Sequence, residues 1–220
     1  MFHPNDNPLD RGWVGRVEGD RMIHLAAQTL QSLFLNGLNA REHAEYPLAD
    51  VTLLVPVQYP PTVRLFAADG TFRFSNATAI VGDGLAVPAD GGSLRARARV
   101  AAVIGAGAEI GGYSGVVEWF DPSAEPDVKQ ADFGLVLGPT VATPDELDPS
   151  SVGVRLKGDG GEEASRLEGF RWADAVALAG RRTVLRPGDV IGGPVVRELE
   201  AASGVELGVD GAGMLRAPLS

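Results

Sequence analysis

Ser93 to Gly105 read SLRARARVAAVIG, and the alternation inside this stretch sets the architecture. Arg95, Arg97 and Arg99 take every second place, with Ala96, Ala98 and Val100 beside them. Successive side chains of a strand point to opposite faces, so three guanidinium groups leave one face and a row of small apolar groups leaves the other. The stretch from Val103 to Gly111 runs an apolar strand into glycines, as a dinucleotide-binding turn does. Ile110 stands at the third glycine position, however, and Gly111-Gly112 would break the helix whose N-terminus must face a pyrophosphate. A hairpin is expected instead, its second strand running from Tyr113 to Trp119.

The rest of the chain repeats this character. Gly 29 and Pro 15 punctuate the 220 residues every few positions, which favours short strands and tight turns over long helices. Short β-branched runs predict strands over Val51 to Val57, Thr62 to Phe66, Val100 to Ile104, Leu135 to Ala142 and Val152 to Leu156, and over Thr183 to Leu185 with Val190 to Ile191. Helices are predicted over His24 to Asn36, stopped by Gly37, and over Trp172 to Ala179, stopped by Gly180. With so few helical crossovers the fold class is mainly β (α+β), largely antiparallel or mixed. Asp121 to Asp127, Lys157 to Glu163 and Gly82 to Gly92 read as loops and turns, the last lacking the lysine-serine pair of a phosphate loop. Met1 to Arg11 reads as a loose tail. A boundary near Tyr59-Pro60-Pro61 divides a small N-terminal strand-helix-strand domain, residues 1–60, from a β-rich body, residues 61–220.

Composition excludes several functions. A formal net charge of −10 makes nucleic acid and anionic membranes poor partners. The absence of cysteine removes disulfides, thiolate metal sites and cysteine nucleophiles. No leader pattern opens the sequence and no apolar run approaches the ~20 residues of a membrane span, so a cytoplasmic, soluble protein is expected. His3, His24 and His43 are too scattered for a metal cluster, and no nucleophile elbow supports a serine-histidine-aspartate relay.

Several segments, in order, resemble the fumarylacetoacetate hydrolase family. They are Trp13-Val14-Gly15-Arg16-Val17 with Gly19-Asp20; Tyr46-Pro47-Leu48-Ala49-Asp50-Val51 running into Leu54-Val55-Pro56-Val57; and Thr78-Ala79-Ile80-Val81-Gly82 with Pro88. Val100 to Gly105, Gly112-Tyr113-Ser114, Lys129 with Asp132, Leu137-Gly138-Pro139, and Leu185-Arg186-Pro187-Gly188-Asp189-Val190-Ile191 complete the set. The resemblance spans roughly residues 12 to 216. It implies a twisted mixed β-roll, usually dimeric, with Mg²⁺ on two glutamates and an aspartate. There the ion polarises a β-dicarbonyl or oxo-acid substrate for carbon-carbon hydrolysis, decarboxylation or isomerisation.

Carried over residue by residue, the metal ligands are lost. The paired glutamates fall on Arg97 and Arg99, and the aspartate falls on Glu118. At ~4 Å and an effective dielectric of about 20, one unit-charge pair is worth about 4 kcal/mol, so each arginine would oppose a divalent ion by about twice that. No metal cofactor is therefore expected, although Mg²⁺ belongs to the family pattern. The family's asparagine, tyrosine, histidine and glutamate segment has no room between Phe66 and Phe72, and its late threonine is missing because Ile191 leads straight to Gly192-Gly193-Pro194. His43, in a look-alike segment that comes too early, reads as a polar residue after a helix.

Two readings of the arginine row stand side by side. One is a solvated sheet face with Glu118 as a structural ion-pair partner. The other is an anion-binding floor on which Arg97, Arg99 and Lys129 grip a small carboxylate. The resemblance accordingly implies either a non-catalytic structural, regulatory or ligand-binding subunit in oxo-acid or aromatic catabolism, or an enzyme with an altered, arginine-based site. In the first case the chain is a homodimer or a heteromer with a catalytically intact family member, an arrangement known from the isomerase/decarboxylase branch.

Overall fold

The computed structural model describes residues 1–89 and 94–220; Ser93 and the end of the Gly82–Gly92 turn lie outside the described residues. Its centre is β9 (Leu94–Ile104), which forms a hairpin with β10 (Ile110–Phe120). Among the described residues no helix is long and apolar enough to cross a membrane.

The N-terminal unit holds β1 (Phe2–Pro4), β2 (Gly15–Glu18), β3 (Arg21–Leu25), α1 (Leu30–Leu35), β4 (Glu42–Pro47) and β5 (Val51–Leu53). Strands β2, β3 and β4 make an antiparallel sheet, and β1 pairs with β5. Met1 to Arg11 is thus not a loose tail: Phe2 is fully buried, exchanges backbone hydrogen bonds with Trp13 and packs on the Trp13 and Tyr46 rings. The first helix is shorter than its apolar spacing predicts. Thr29 accepts from the Ser32 backbone N–H while the Ser32 hydroxyl accepts from Thr29, a capping box that starts the helix only there. His24 belongs to β3, where it stacks on Trp13, and His43 lies on exposed β4, its ring 5.3 Å from that of His24.

The body continues with β6 (Val63–Phe66), β7 (Phe72–Ser75), β8 (Ile80–Val81), then after the hairpin β11 (Leu135–Ala142), β12 (Ser151–Gly158), β13 (Gly161–Glu168), α2 (Trp172–Gly180), β14 (Val190–Gly192), β15 (Arg197–Ala201), β16 (Gly204–Val209) and β17 (Gly213–Pro218). An eight-stranded sheet runs β7-β6-β14-β9-β10-β11-β8, with β15 also on β9, and is mixed because β6 with β14 and β8 with β11 are parallel. The second sheet runs β13-β12-β16-β17. Lys157 to Glu163 is therefore the tip of the β12–β13 hairpin instead of an open loop. Thr183 to Leu185 forms no strand, and Val184 is exposed.

Both faces of β9 are used. Ala96, Ala98, Val100, Ala102 and Ile104 join the main core between the two sheets, with Trp119, Val154, Leu156, Leu207 and Leu215. The opposite face carries the arginines and then Ala101 and Val103, which pack with Val63, Leu65, Val116 and Phe34 of α1 in a second core. Gly111 makes this second core possible, since a Cβ there would sit 2.7 Å from the Phe34 ring.

A buried acid closes the sheet at β14. The Asp189 carboxylate accepts from the Thr62 hydroxyl at 2.5 Å and the Arg186 backbone N–H at 2.7 Å, with the Arg64 guanidinium 3.9 Å away. Its backbone carbonyl accepts from Ile104 N–H. Asp189 and Arg64 are both buried, so Asp189→Ala strands a cation in the interior. Urea denaturation should show a loss of about 3 kcal/mol for this variant.

Candidate functional site

The arginine row of β9 descends into the protein. Arg95 is exposed, Arg97 half-buried and Arg99 buried. The cause is the neighbouring strands: β15 covers Leu94 to Ala98 at one edge of β9, and β14 covers Ala101 to Val103 further along the same edge. Across the hairpin, Glu118 is the register partner of Arg97 and shares its face.

Glu118 is fully buried. One carboxylate oxygen accepts from Arg99 Nε at 2.8 Å and also contacts the second terminal nitrogen of Arg99, and the other pairs with Arg73, which reaches across from β7. Arg99 donates its remaining hydrogen bonds to the carbonyls of Phe66 and Gly193, each at 2.8 Å. Burial first, then the charges of Arg73 and Arg97, pushes Arg99 down to about 9, so it remains a cation at neutral pH. The same two causes, burial and then Arg97, lower Arg73.

Nearer the surface, Glu198 of β15 bridges the other two arginines, accepting from Arg97 Nε at 2.6 Å and Arg95 at 3.1 Å. Burial would raise the Glu198 pKa, but hydrogen bonds and charge from Arg97 and Arg95 outweigh it and hold the carboxyl below its ordinary value. The Arg97 guanidinium lies 3.5 Å from the centre of the Phe120 ring. Among the described residues the two terminal amino groups of Arg97 have no protein acceptor. Arg73 is 44% exposed, so its plane is open on one side.

The structure thus brings Arg97, Arg99 and Glu118 together and separates their duties. Arg99 donates to Glu118 and two carbonyls, whereas among the described residues Arg97 keeps open donors. Lys129 sits in the turn Asp127–Gln130, exposed, with its Nζ on Asp132 at 2.8 Å, and among the described residues it makes no hydrogen bond or ion pair with the row. His43 is on a different sheet. Trp119 is core, and Phe120 is the platform under Arg97. Two residues the sequence reading missed, Arg73 and Glu198, complete the cluster. Their signal was the alternation of Phe72-Arg73-Phe74 and of Glu198 with Leu199 and Glu200, too short to separate from any edge strand.

Mg²⁺ does not suit this donor set. Both Glu118 oxygens face guanidinium groups, and among the described residues no group of three or more histidine, aspartate or glutamate side chains is placed to hold a metal ion. Hard divalent cations need several anionic or carbonyl oxygens, and this cluster offers cations.

Glu118 and Arg99 should therefore behave as one unit. Glu118→Gln leaves two guanidinium groups uncompensated and should cost about 3 kcal/mol, whereas the pair Glu118→Leu with Arg99→Met should lie closer to the parent protein in a double-mutant cycle. The Glu198 contribution has a definite sign: its folded pKa is depressed, so its stabilisation is present above about pH 4.3 and fades as pH falls through the lower folded value. Acid titration of Glu198→Gln should show a shallower loss of stability below that pH.

No family model and no curated protein matches the chain. Solved structures do. Maleylpyruvate hydrolase from Sphingobium sp. SYK-6, in complex with manganese(II) and pyruvate, superposes with a TM-score of 0.78 at 20% identity over 96% of each chain. 2-Hydroxyhepta-2,4-diene-1,7-dioate isomerase from Mycobacterium marinum gives 0.76 at 21% identity, covering 94% of this chain and 92% of that one. 5-Carboxymethyl-2-hydroxymuconate delta-isomerase from Mycobacterium smegmatis gives 0.73 at 24% identity, covering 94% and 93%. These neighbours are fumarylacetoacetate hydrolase superfamily members, and at such identities the likeness establishes architecture. The chain has the mainly β fold of the fumarylacetoacetate hydrolase superfamily.

Proposed function

We propose that this protein handles a small oxo-acid carboxylate through an arginine-based, metal-independent site, with Arg97 and Arg73 as its gripping groups. The observation that carries the proposal is Arg97: half-buried, fixed on Phe120 and Glu198, with its terminal amino groups lacking an acceptor among the described residues. A planar fork held in place loses little freedom on gripping a carboxylate, and the pairing is bidentate. Four guanidinium groups (Arg73, Arg95, Arg97, Arg99) face Glu118, Glu198 and, in register with Arg95, Glu200, so the cluster has more positive than negative charge.

The solved proteins of this fold include one with pyruvate bound and isomerases named for unsaturated di- and tricarboxylates. Such substrates react through enolates, which fixed positive charge stabilises. In this chain Arg97 would hold the carboxylate and orient the adjacent carbonyl, and Arg73 would lie near the developing enolate oxygen. Arginine stays protonated, so both act by charge and hydrogen bonding and neither moves a proton. Decarboxylation of an oxo acid is the reaction class this favours, CO2 leaving and solvent water protonating the enolate; in an isomerisation water would have to carry the proton from one carbon to the other.

A second reading is supported by the Arg99–Glu118 pair, which is buried and mutually satisfied. In it the chain is a non-catalytic subunit, pairing with itself or with an intact relative in oxo-acid or aromatic catabolism.

Calorimetry with pyruvate and oxaloacetate in EDTA, together with deuterium exchange at their C3 protons, adjacent to the oxo group, separates the two. Saturable binding is expected, weakened about 30-fold by Arg97→Ala and not rescued by Arg97→Lys, with accelerated exchange that the same change abolishes. Binding without exchange leaves the non-catalytic reading. Tight stoichiometric Mn²⁺ binding that Glu118→Gln removes would overturn both.

A further inference from the structure

A second concavity lies away from the arginine row, at the seam between the N-terminal unit and the body. It encloses about 810 Å³, within the range of small-molecule pockets. Helix α1 supplies Leu33 and Phe34 to its floor, and the loop after β11 closes the far side. The chain contains three methionines, and all three, Met1, Met22 and Met214, line this one cavity. Methionine is unbranched and polarisable, and a wall built of it reshapes around different apolar guests.

The mouth is electrically asymmetric. Arg16 is neutralised by Glu18 and Glu42, each at 2.6 Å. Asp145 and Glu146, both exposed, also line the cavity. Glu146 accepts from the Thr143 backbone N–H at 2.6 Å, and among the described residues Asp145 has no cationic partner. The neighbouring Thr143 hydroxyl lowers the pKa of the exposed Asp145 carboxyl, so it is charged at neutral pH. An apolar chamber with an unpaired anion at its rim selects one class of guest.

We infer that this seam cavity binds a small hydrophobic amine, its hydrocarbon body against the three methionines and its ammonium group at Asp145. A carboxylate guest would meet the acid at the rim, and the only arginine in the wall already has two partners. The site is independent of the oxo-acid reading and stands or falls separately.

The test uses the full chain labelled with ¹³C at the methionine methyl groups, which gives one reporter per residue inside the cavity. Titration with n-octylamine should shift all three methyl signals together and saturably, with n-octanol about fivefold weaker and octanoate weaker still. Asp145→Asn should bring the amine down to the alcohol's affinity. Met214→Trp, a change at the exposed rim, should block entry, and Arg97→Ala should leave amine binding unaltered. Octanoate binding as well as the amine, amine binding that leaves the methionine signals in place, or no binding at all would overturn the inference. So would methyl shifts that follow protein concentration alone, because a second copy of the chain would then occupy the seam.

Discussion

A carboxylate sealed from water keeps its charge only where cations and donors replace the lost hydration, and Glu118 sets that demand on everything around it. Arg99 and Arg73 answer it from different strands, so one buried acid binds β10 to β9 and to the sheet's far edge at β7. Arg99 then passes its other N–H groups to the carbonyls of Phe66 and Gly193, which close β6 and follow β14. Removing any member leaves a charge in the interior, which is why the cluster acts cooperatively. Both Glu118 oxygens are taken by the protein's own guanidinium groups.

The alternation of residues 95 to 100 made the strand, its hairpin partner and the shared face of the arginines legible. Depth was not. Period two assigns a side chain to a face but says nothing about which neighbouring strand covers it, and here β14 and β15 decide that Arg99 is sealed while Arg97 stays open. Arg73 and Glu198 escaped for the same reason, since only long-range pairing brings them to β9. At the N-terminus, Phe2 is buried by Trp13 and Tyr46, contacts that no local pattern announces. The helix start was legible in principle: Thr29 and Ser32 carry the capping spacing, and the apolar periodicity that begins at Ala26 concealed it.

Charge is distributed against the average. The molecule carries a net −10, yet the row on β9 concentrates positive charge at one place. At physiological salt the screening length is about 8 Å, so repulsion from the molecule's net negative charge is largely screened beyond that distance and the charges nearest an approaching group dominate.

Strand β9 has a further consequence for how the chain is made. Its partner β10 follows at once, but the strands that cover its other edge, β14 and β15, begin at Val190 and Arg197. During synthesis that edge must wait, unpaired, for roughly half the protein to leave the ribosome. An apolar edge in that state invites association with neighbouring nascent chains; Arg95, Arg97 and Arg99 repel their counterparts on such chains. The charges of the arginine row thus also guard the assembly of the sheet.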